Sequence, residues 1–221
     1  MTPEERKMRL RLLYMGWRFI RTLALFFRDE YRRGTLKENL RSIREAGTLS
    51  LAVDMSHAEL LEEKAAMLRD HPFLYFKDEV LSYRDMDMNA NRVANFLWDS
   101  GGGPGIGLAI IMKNSPRWLD VFFGLEKLGM YTVPVNTALR GDQLSFVINN
   151  SDAEFVVIDH DMLPIYQAVE DKLENVVKVM VNTREAPEDF ELPEGMEDLE
   201  EAYHIGSDPS RPPVKYDPED L

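Results

Sequence analysis

Between residues 107 and 181, four apolar runs alternate with helical segments, and this alternation constrains the fold more than any other feature of the chain. Residues 107–112 are apolar without interruption, as expected of a strand covered on both faces. A helix over 116–128 follows, with Pro116 at the favoured first position and Gly129 just past its end. The order then repeats as strand 131–135, helix 142–149, strand 155–159, helix 163–173 and strand 176–181. Strands separated by helices cannot be joined by tight hairpins, so the pattern predicts an α/β fold, a layered parallel sheet with flanking helices.

Upstream, Ser56 and Glu59 stand at capping-box spacing and set the start of a helix reaching residue 69. Residues 73–76 and 80–83 flank Lys77-Asp78-Glu79 and read as a hairpin. A helix over 84–98 follows, burying Val93, Ala94, Leu97 and Trp98. Three regions result: a basic amphipathic helical segment at 1–47, an α/β subdomain at 48–183, and an acidic, proline-rich linker at 184–221.

Composition separates these regions. Residues 1–47 hold 12 Lys or Arg against 6 Asp or Glu, whereas 48–221 hold 14 against 33. The whole-chain charge of -13 argues against nucleic-acid binding, where cations must neutralise phosphates. The chain has no cysteine, which excludes thiol catalysis, disulfides and thiolate metal sites and fits a reducing compartment. In the first segment Leu10, Leu13, Tyr14, Trp17, Ile20, Ala24, Phe27 and Tyr31 recur at helical spacing, with Arg11, Arg18, Arg21, Arg28 and Arg32 on another side. Such a helix either lies in a membrane interface or packs on its own protein. The arginines interrupt any cleavable signal, and the longest uncharged stretch, 100–112, is too short and glycine-rich to cross a bilayer.

Several motifs fail on inspection. The glycines at 101, 102, 103, 105 and 107 follow a helix and lead into a strand, the reverse of a phosphate cradle, and are expected to end the helix. No segment is read as having the strand–loop–helix order that cradles phosphate. Asp85-Met86-Asp87-Met88-Asn89 resembles the opening of a calcium loop, yet Ala90 and Phe96 occupy positions needing glycine and glutamate. Asp159-His160-Asp161 is expected to be a solvated turn rather than a metal site. His57, His71, His160 and His204 lack zinc-motif spacing, and no Gly-x-Ser-x-Gly elbow exists. Asn149-Asn150-Ser151 matches a glycosylation sequon, which matters only in a secreted protein.

Leu81-Ser82-Tyr83-Arg84-Asp85-Met86 and the helix from Asn89 to Ala94 resemble the opening phrases of the adenylate-forming superfamily of acyl-CoA synthetases. Met112-Lys113-Asn114-Ser115-Pro116 resembles its strand exit. Gly124-Leu125-Glu126-Lys127-Leu128-Gly129 through Val133-Pro134-Val135-Asn136 resembles its second core phrase, continued by Thr137 to Leu144. The wording at 124–129 and 136–140 leans to the very-long-chain acyl-CoA synthetase and fatty acid transport protein branch. One departure is Gly105-Ile106-Gly107-Leu108-Ala109, where the superfamily usually has Gly-Asp-x-Val-Ala.

The resemblance implies the N-terminal part of an AMP-forming acyl-CoA synthetase. The complete enzyme would use ATP, Mg2+ and CoA to activate a fatty acid, and none of these cofactors is expected to bind residues 1–221 well. Asp217 to Leu221 resemble the residues before the nucleotide loop, which is expected beyond Leu221 together with the reaction centre. No catalytic, cofactor-binding or metal-ligating residue is therefore assigned on this chain. Tyr83, Asn136 and Arg140 are expected to build the scaffold, with Arg140 the best outside candidate for meeting substrate. The expected location is cytoplasmic, peripheral on a membrane if residues 1–47 bind an anionic surface. The rival functions are a non-catalytic membrane-binding or scaffold module and a ligase for a smaller carboxylic acid.

Overall fold

The computed structural model describes residues 55–204 and 208–214. The basic segment 1–47 lies outside them. The described residues belong to one compact unit, which opens with α1 (His57–Leu68). Its capping box is complete: Ser56 Oγ accepts from the Glu59 amide at 3.1 Å, and Glu59 Oε2 accepts from the Ser56 amide at 2.9 Å. A cap of this kind stabilises a helix by about 0.5–2 kcal/mol.

Strands β1 (Pro72–Phe76) and β2 (Glu79–Ser82) pair antiparallel about the turn Lys77-Asp78. Tyr83, expected to close the second strand, instead opens α2 (Tyr83–Asp99), because Ser82 and Asp85 form a second capping box there. Gly101 ends α2 at φ 96°, and the Gly102 amide donates to Leu97 O at 2.7 Å. The glycine run is thus a helix-terminating turn, its first residue supplying the left-handed conformation that side chains disfavour.

The sheet follows: β3 (Gly107–Ile111), α3 (Pro116–Lys127), β4 (Tyr131–Pro134), α4 (Gly141–Asn150), β5 (Ala153–Asp159), α5 (Leu163–Gln167), β6 (Lys178–Asn182) and β7 (Glu197–Asp198). All five strands are parallel in the order β4-β3-β5-β6-β7. Side chains alternate between the two faces, as a pleat of period two requires. Leu108, Ile110, Phe155, Val157 and Met180 pack with α2 and α3, while Ala109, Ile111, Val156, Ile158, Val179 and Val181 pack with α4 and α5. Each fully buried Leu or Ile contributes roughly 1.5–3 kcal/mol of transfer free energy. A smaller cluster of Leu61, Met86 and Ala90 seats α1 and the hairpin.

The start of β3 carries a packing constraint at Gly107. Gly107 pairs with Tyr131 across the β3–β4 ladder, and a Cβ at Gly107 would lie 2.3 Å from Tyr131 Cζ. The ring lies over the bare backbone, and its hydroxyl donates to Ser151 O at 2.8 Å. Gly107, at the position the superfamily phrase leaves open, thus admits the tyrosine, while the departures are Ile106 and Leu108, the latter fully buried within the strand.

Trp98, expected on the buried face of its helix, is 44% exposed, and three expectations about elements need correction. The helix expected over 163–173 is broken into 3₁₀ turns His160–Met162 and Glu170–Lys172 around the short α5. Its buried residues Leu163, Tyr166 and Val169 recur every three positions, the 3₁₀ period, and Val169 leaves helical geometry at φ -131°. The last strand begins at Lys178 rather than 176, leaving Val177 68% exposed. Part of the acidic stretch 184–221 is structural: β7 adds to the sheet, and Leu199 and Ala202 of the following 3₁₀ turn (Leu199–Tyr203) enter the core. Those isolated apolar residues are hidden among acidic neighbours in the sequence.

Candidate functional site

The sheet reverses its winding at β3, with β4 on one side and β5 on the other, and with α3 and α4 on opposite faces. In open α/β sheets ligands bind outside the strand carboxyl ends at such a point. A cleft of about 480 Å³ lies there, lined by residues following β3, β5 and β6 and by the hairpin. Lys113, Asn114 and Ser115 come from β3, Asp159 and Asp161 from β5, Asn182 and Arg184 from β6, and Lys77 and Glu79 from the hairpin.

Asp159 ties the three strand ends together. Its Oδ2 accepts from the Lys113 amide at 2.8 Å and its Oδ1 from Asn182 Nδ2 at 2.7 Å, both aspartate and asparagine being 8% exposed. Asp159 is therefore a buried brace and not part of a solvated turn. Around it the cations are neutralised in place: Lys113 by Asp161, Lys77 by Glu185 at 3.3 Å, and Arg184 by Glu79 at 2.5 Å. The hydrogen bond to Asp161 raises the Lys113 ammonium above its ordinary value. An anionic ligand would have to exchange with these acids.

Residues 107–127 do run strand, loop, helix, with Lys113-Asn114-Ser115 between β3 and α3, which corrects the expectation that no segment has that order. The loop nevertheless lacks glycine, and Ser115 Oγ itself takes the Trp118 amide at 3.3 Å. Among the described residues no three His, Asp or Glu side chains converge to hold a metal. The donor set does not fit ATP with Mg2+: Asp159 is consumed by N–H donors and Asp161 by Lys113.

The residues singled out by resemblance are held locally. Arg140 precedes α4 and its Nη1 donates to Thr137 O and Leu139 O, each at 2.6 Å. Asn136 Oδ1 accepts from the Ala138 amide at 2.9 Å, and the Tyr83 ring meets Phe73 edge-on at 5.0 Å. The histidines are scattered: His57 Nδ1 lies 2.9 Å from Glu126 Oε1, and His160 meets the Phe190 ring. Asp85 Oδ2 accepts from the Ser82 amide in the capping box of α2, and Asp87 pairs with Lys127. Asn149 is engaged with Lys172 O and the Glu174 amide.

Two buried polar clusters escaped the sequence reading. Arg117 forks onto Glu200 at 2.7 and 2.9 Å, reaches Asp120 at 3.1 Å, and lies 3.3 Å above the Tyr203 ring centre. Tyr203 donates to Asp120 Oδ2 at 2.9 Å. Burial pushes the Asp120 carboxyl up to about 6, although Arg117 and Tyr203 favour its charge. Burial, reinforced by Asp120, raises the Tyr203 phenol well above its ordinary value. Burial opposes the Arg117 charge, but the bonds to Glu200 outweigh it and raise that guanidinium further. Lys127, fully buried, is clasped by Glu62 and Asp87. The only sequence signal for the first cluster is its i,i+3 spacing, Arg117 to Asp120 and Glu200 to Tyr203.

The family described as AMP-binding enzyme matches residues 61–221. The chain belongs to the AMP-binding enzyme family. The resemblance read at 81–86 and 124–136 is thereby borne out. Surfactin synthase subunit 1 of Bacillus subtilis is 29% identical over 67% of this chain and 4% of its own length. Long-chain fatty acid transport protein 6 of Mus musculus is 32% identical over 64% of the chain and 22% of its own. A solved fatty acyl CoA synthetase of Mycobacterium tuberculosis shares the fold, with a TM-score of 0.60 at 24% identity, over 72% of this chain and 30% of that one. The chain thus spans about a fifth or less of these two curated relatives.

Proposed function

We propose that this chain is the N-terminal portion of a fatty acid-CoA ligase, converting ATP, a fatty acid and CoA to acyl-CoA, AMP and pyrophosphate through an acyl-adenylate. The observation that carries the reading is family membership over residues 61–221 together with the 32% identity to a long-chain fatty acid transport protein. A carboxylate is a poor electrophile, and conversion to a mixed anhydride gives the thiol a leaving group to displace. The chain's own residues build the sheet and its crevice; the phosphate-binding loop is placed beyond Leu221. The expected result is a Thr/Ser/Gly-rich loop in the coding sequence within about twenty residues, and AMP release by the complete polypeptide that requires both fatty acid and CoA. Residues 1–221 alone should show no acid-dependent ATP-pyrophosphate exchange. Exchange by the purified 221-residue chain, abolished by a substitution within it, would overturn this placement.

The basic segment supplies a second element of the reading, a peripheral attachment of a cytoplasmic enzyme to anionic membrane. No helix among the described residues is long and apolar enough to cross a bilayer. Leu13, Trp17, Ile20, Ala24 and Phe27 would enter the interface, and each Arg or Lys near it contributes on the order of 1 kcal/mol, screened by salt. Co-sedimentation with phosphatidylserine vesicles should fall steeply with ionic strength, with Trp17 emission shifted in the bound state. No pelleting at low salt would end the membrane reading and favour packing of this face on the protein itself.

A further inference from the structure

Residues 208–214 return across α2 without joining the sheet. Their sequence, Asp208-Pro209-Ser210-Arg211-Pro212-Pro213-Val214, contains three prolines, so three of seven positions have no amide to donate to a ladder. The segment is held the other way round, through its carbonyls. Asn91 Nδ2 donates to Pro209 O at 2.8 Å, and Asn95 Nδ2 donates to both Asp208 O and Ser210 O at 3.0 Å. Asn91 and Asn95 stand one helical turn apart, so their amides face the same side of α2 and read three consecutive carbonyls. Arg211 pairs with Glu62 of α1 at 3.1 Å, and Val214 enters the core cluster of Val93 and Leu97 at 9% exposure.

We infer that residues 208–214 form a strap that opens independently of the sheet, with Asn91 and Asn95 as its clamp. Three features set the strap at the low end of local stability. It makes no strand pairing, four of its first five residues face solvent, and its anchoring rests on side-chain amides, one surface ion pair and the burial of Pro212 and Val214 alone. A fourth feature lowers the cost of opening. Asn91 is 5% exposed and, among the described residues, its Oδ1 has no hydrogen-bond partner. That oxygen is desolvated without compensation, which offsets part of what the Nδ2 bond contributes to the clamp. Opening returns the Nδ2 end of the amide to water. The clamp is selective for an extended segment whose carbonyls are free, the state proline enforces. The inference goes beyond the proposed ligase activity and does not rest on it.

The absence of cysteine makes the test clean, since a single introduced thiol is the only one present. In the full chain, Val214→Cys places a thiol under the strap and Ala109→Cys places one inside β3. Labelling by a neutral thiol reagent should be much faster at 214 than at 109. Adding Asn91→Ala with Asn95→Asp removes both donor amides and turns a carboxylate toward the carbonyls. It should speed labelling at 214 at least about tenfold while leaving that at 109 unchanged. Asn95→Gln alone, which keeps an amide donor, should stay within about twofold of the parent. Labelling at 214 that ignores the asparagine changes, or rates at 214 and 109 that rise together, would overturn the strap and make the segment part of the cooperative core.

Discussion

Changing Glu62→Gln and Asp87→Asn together should lower stability by roughly 3–5 kcal/mol, the cost of leaving a buried charge without its partners. Lys127 is fully buried, and its Nζ bonds Glu62 Oε1 at 2.5 Å and Asp87 Oδ1 at 2.8 Å. The amide oxygens of the double variant can still accept these hydrogen bonds, so what disappears is the charge that compensates the ammonium. The Glu62 pair with Arg211 is lost as well, but it is half-exposed on the arginine side and contributes about 1 kcal/mol at most. Domains of this size have total stabilities of about 5–15 kcal/mol, so the denaturation midpoint should fall far enough to be unmistakable. Adding Lys127→Met should recover most of the loss, because an apolar chain of similar volume has no charge to compensate. A midpoint near that of the parent in the double variant would refute the assignment. Failure of the methionine to restore it would locate the effect in α1–α2 packing instead.

The same lysine shows what could and could not be read from the chain. Lys127 lies inside a phrase that carried the family resemblance, yet nothing in its neighbourhood signals burial: its partners sit 65 and 40 residues away. The sheet was legible because its signals are local. Residues 107–111 form a strand buried at every position, Pro116 opens α3, and Ser56 with Glu59 caps α1, all as the pattern implied. Where local periodicity was ambiguous the reading failed, as at Leu163, Tyr166 and Val169, whose spacing suits one long helix face although the α-helix stops at Gln167 and Val169 leads into a 3₁₀ turn. The crevice was missed for a related reason. Lys113, Asp159 and Asn182 lie at the ends of three strands that only the register brings side by side. Tyr203 and Glu200 were passed over because acidic composition pointed to a linker, whereas Leu199 and Ala202 anchor that turn in the core.

The Arg117–Asp120–Glu200–Tyr203 cluster should make part of the stability depend on pH in an unusual direction. Asp120 is fully buried, and burial pushes its carboxyl up to about 6 from the model-peptide value of 3.8. Arg117, Tyr203 and Asn89 act against that rise without cancelling it, and Glu200, on the other side of Arg117, takes the fork of the guanidinium. A carboxyl raised in the folded state binds its proton more tightly there than in the unfolded chain. Its stabilising contribution is therefore complete below pH 3.8 and is lost as pH rises through about 6. Asp85 works in the opposite sense: hydrogen bonds from Ser82 lower it, so its contribution is lost on acidification. A bare stability–pH curve mixes the two, and the difference between parent and Asp120→Asn separates them. The parent should gain about 2–3 kcal/mol on the asparagine variant between pH 7 and pH 4. The amide retains acceptors for Tyr203 and Arg117 but cannot titrate, so contributions from Asp85 and the surface acids cancel in the subtraction. A difference that stays constant across this window would show that Asp120 ionises normally, its carboxylate held charged by Arg117 despite the complete burial of Asp120.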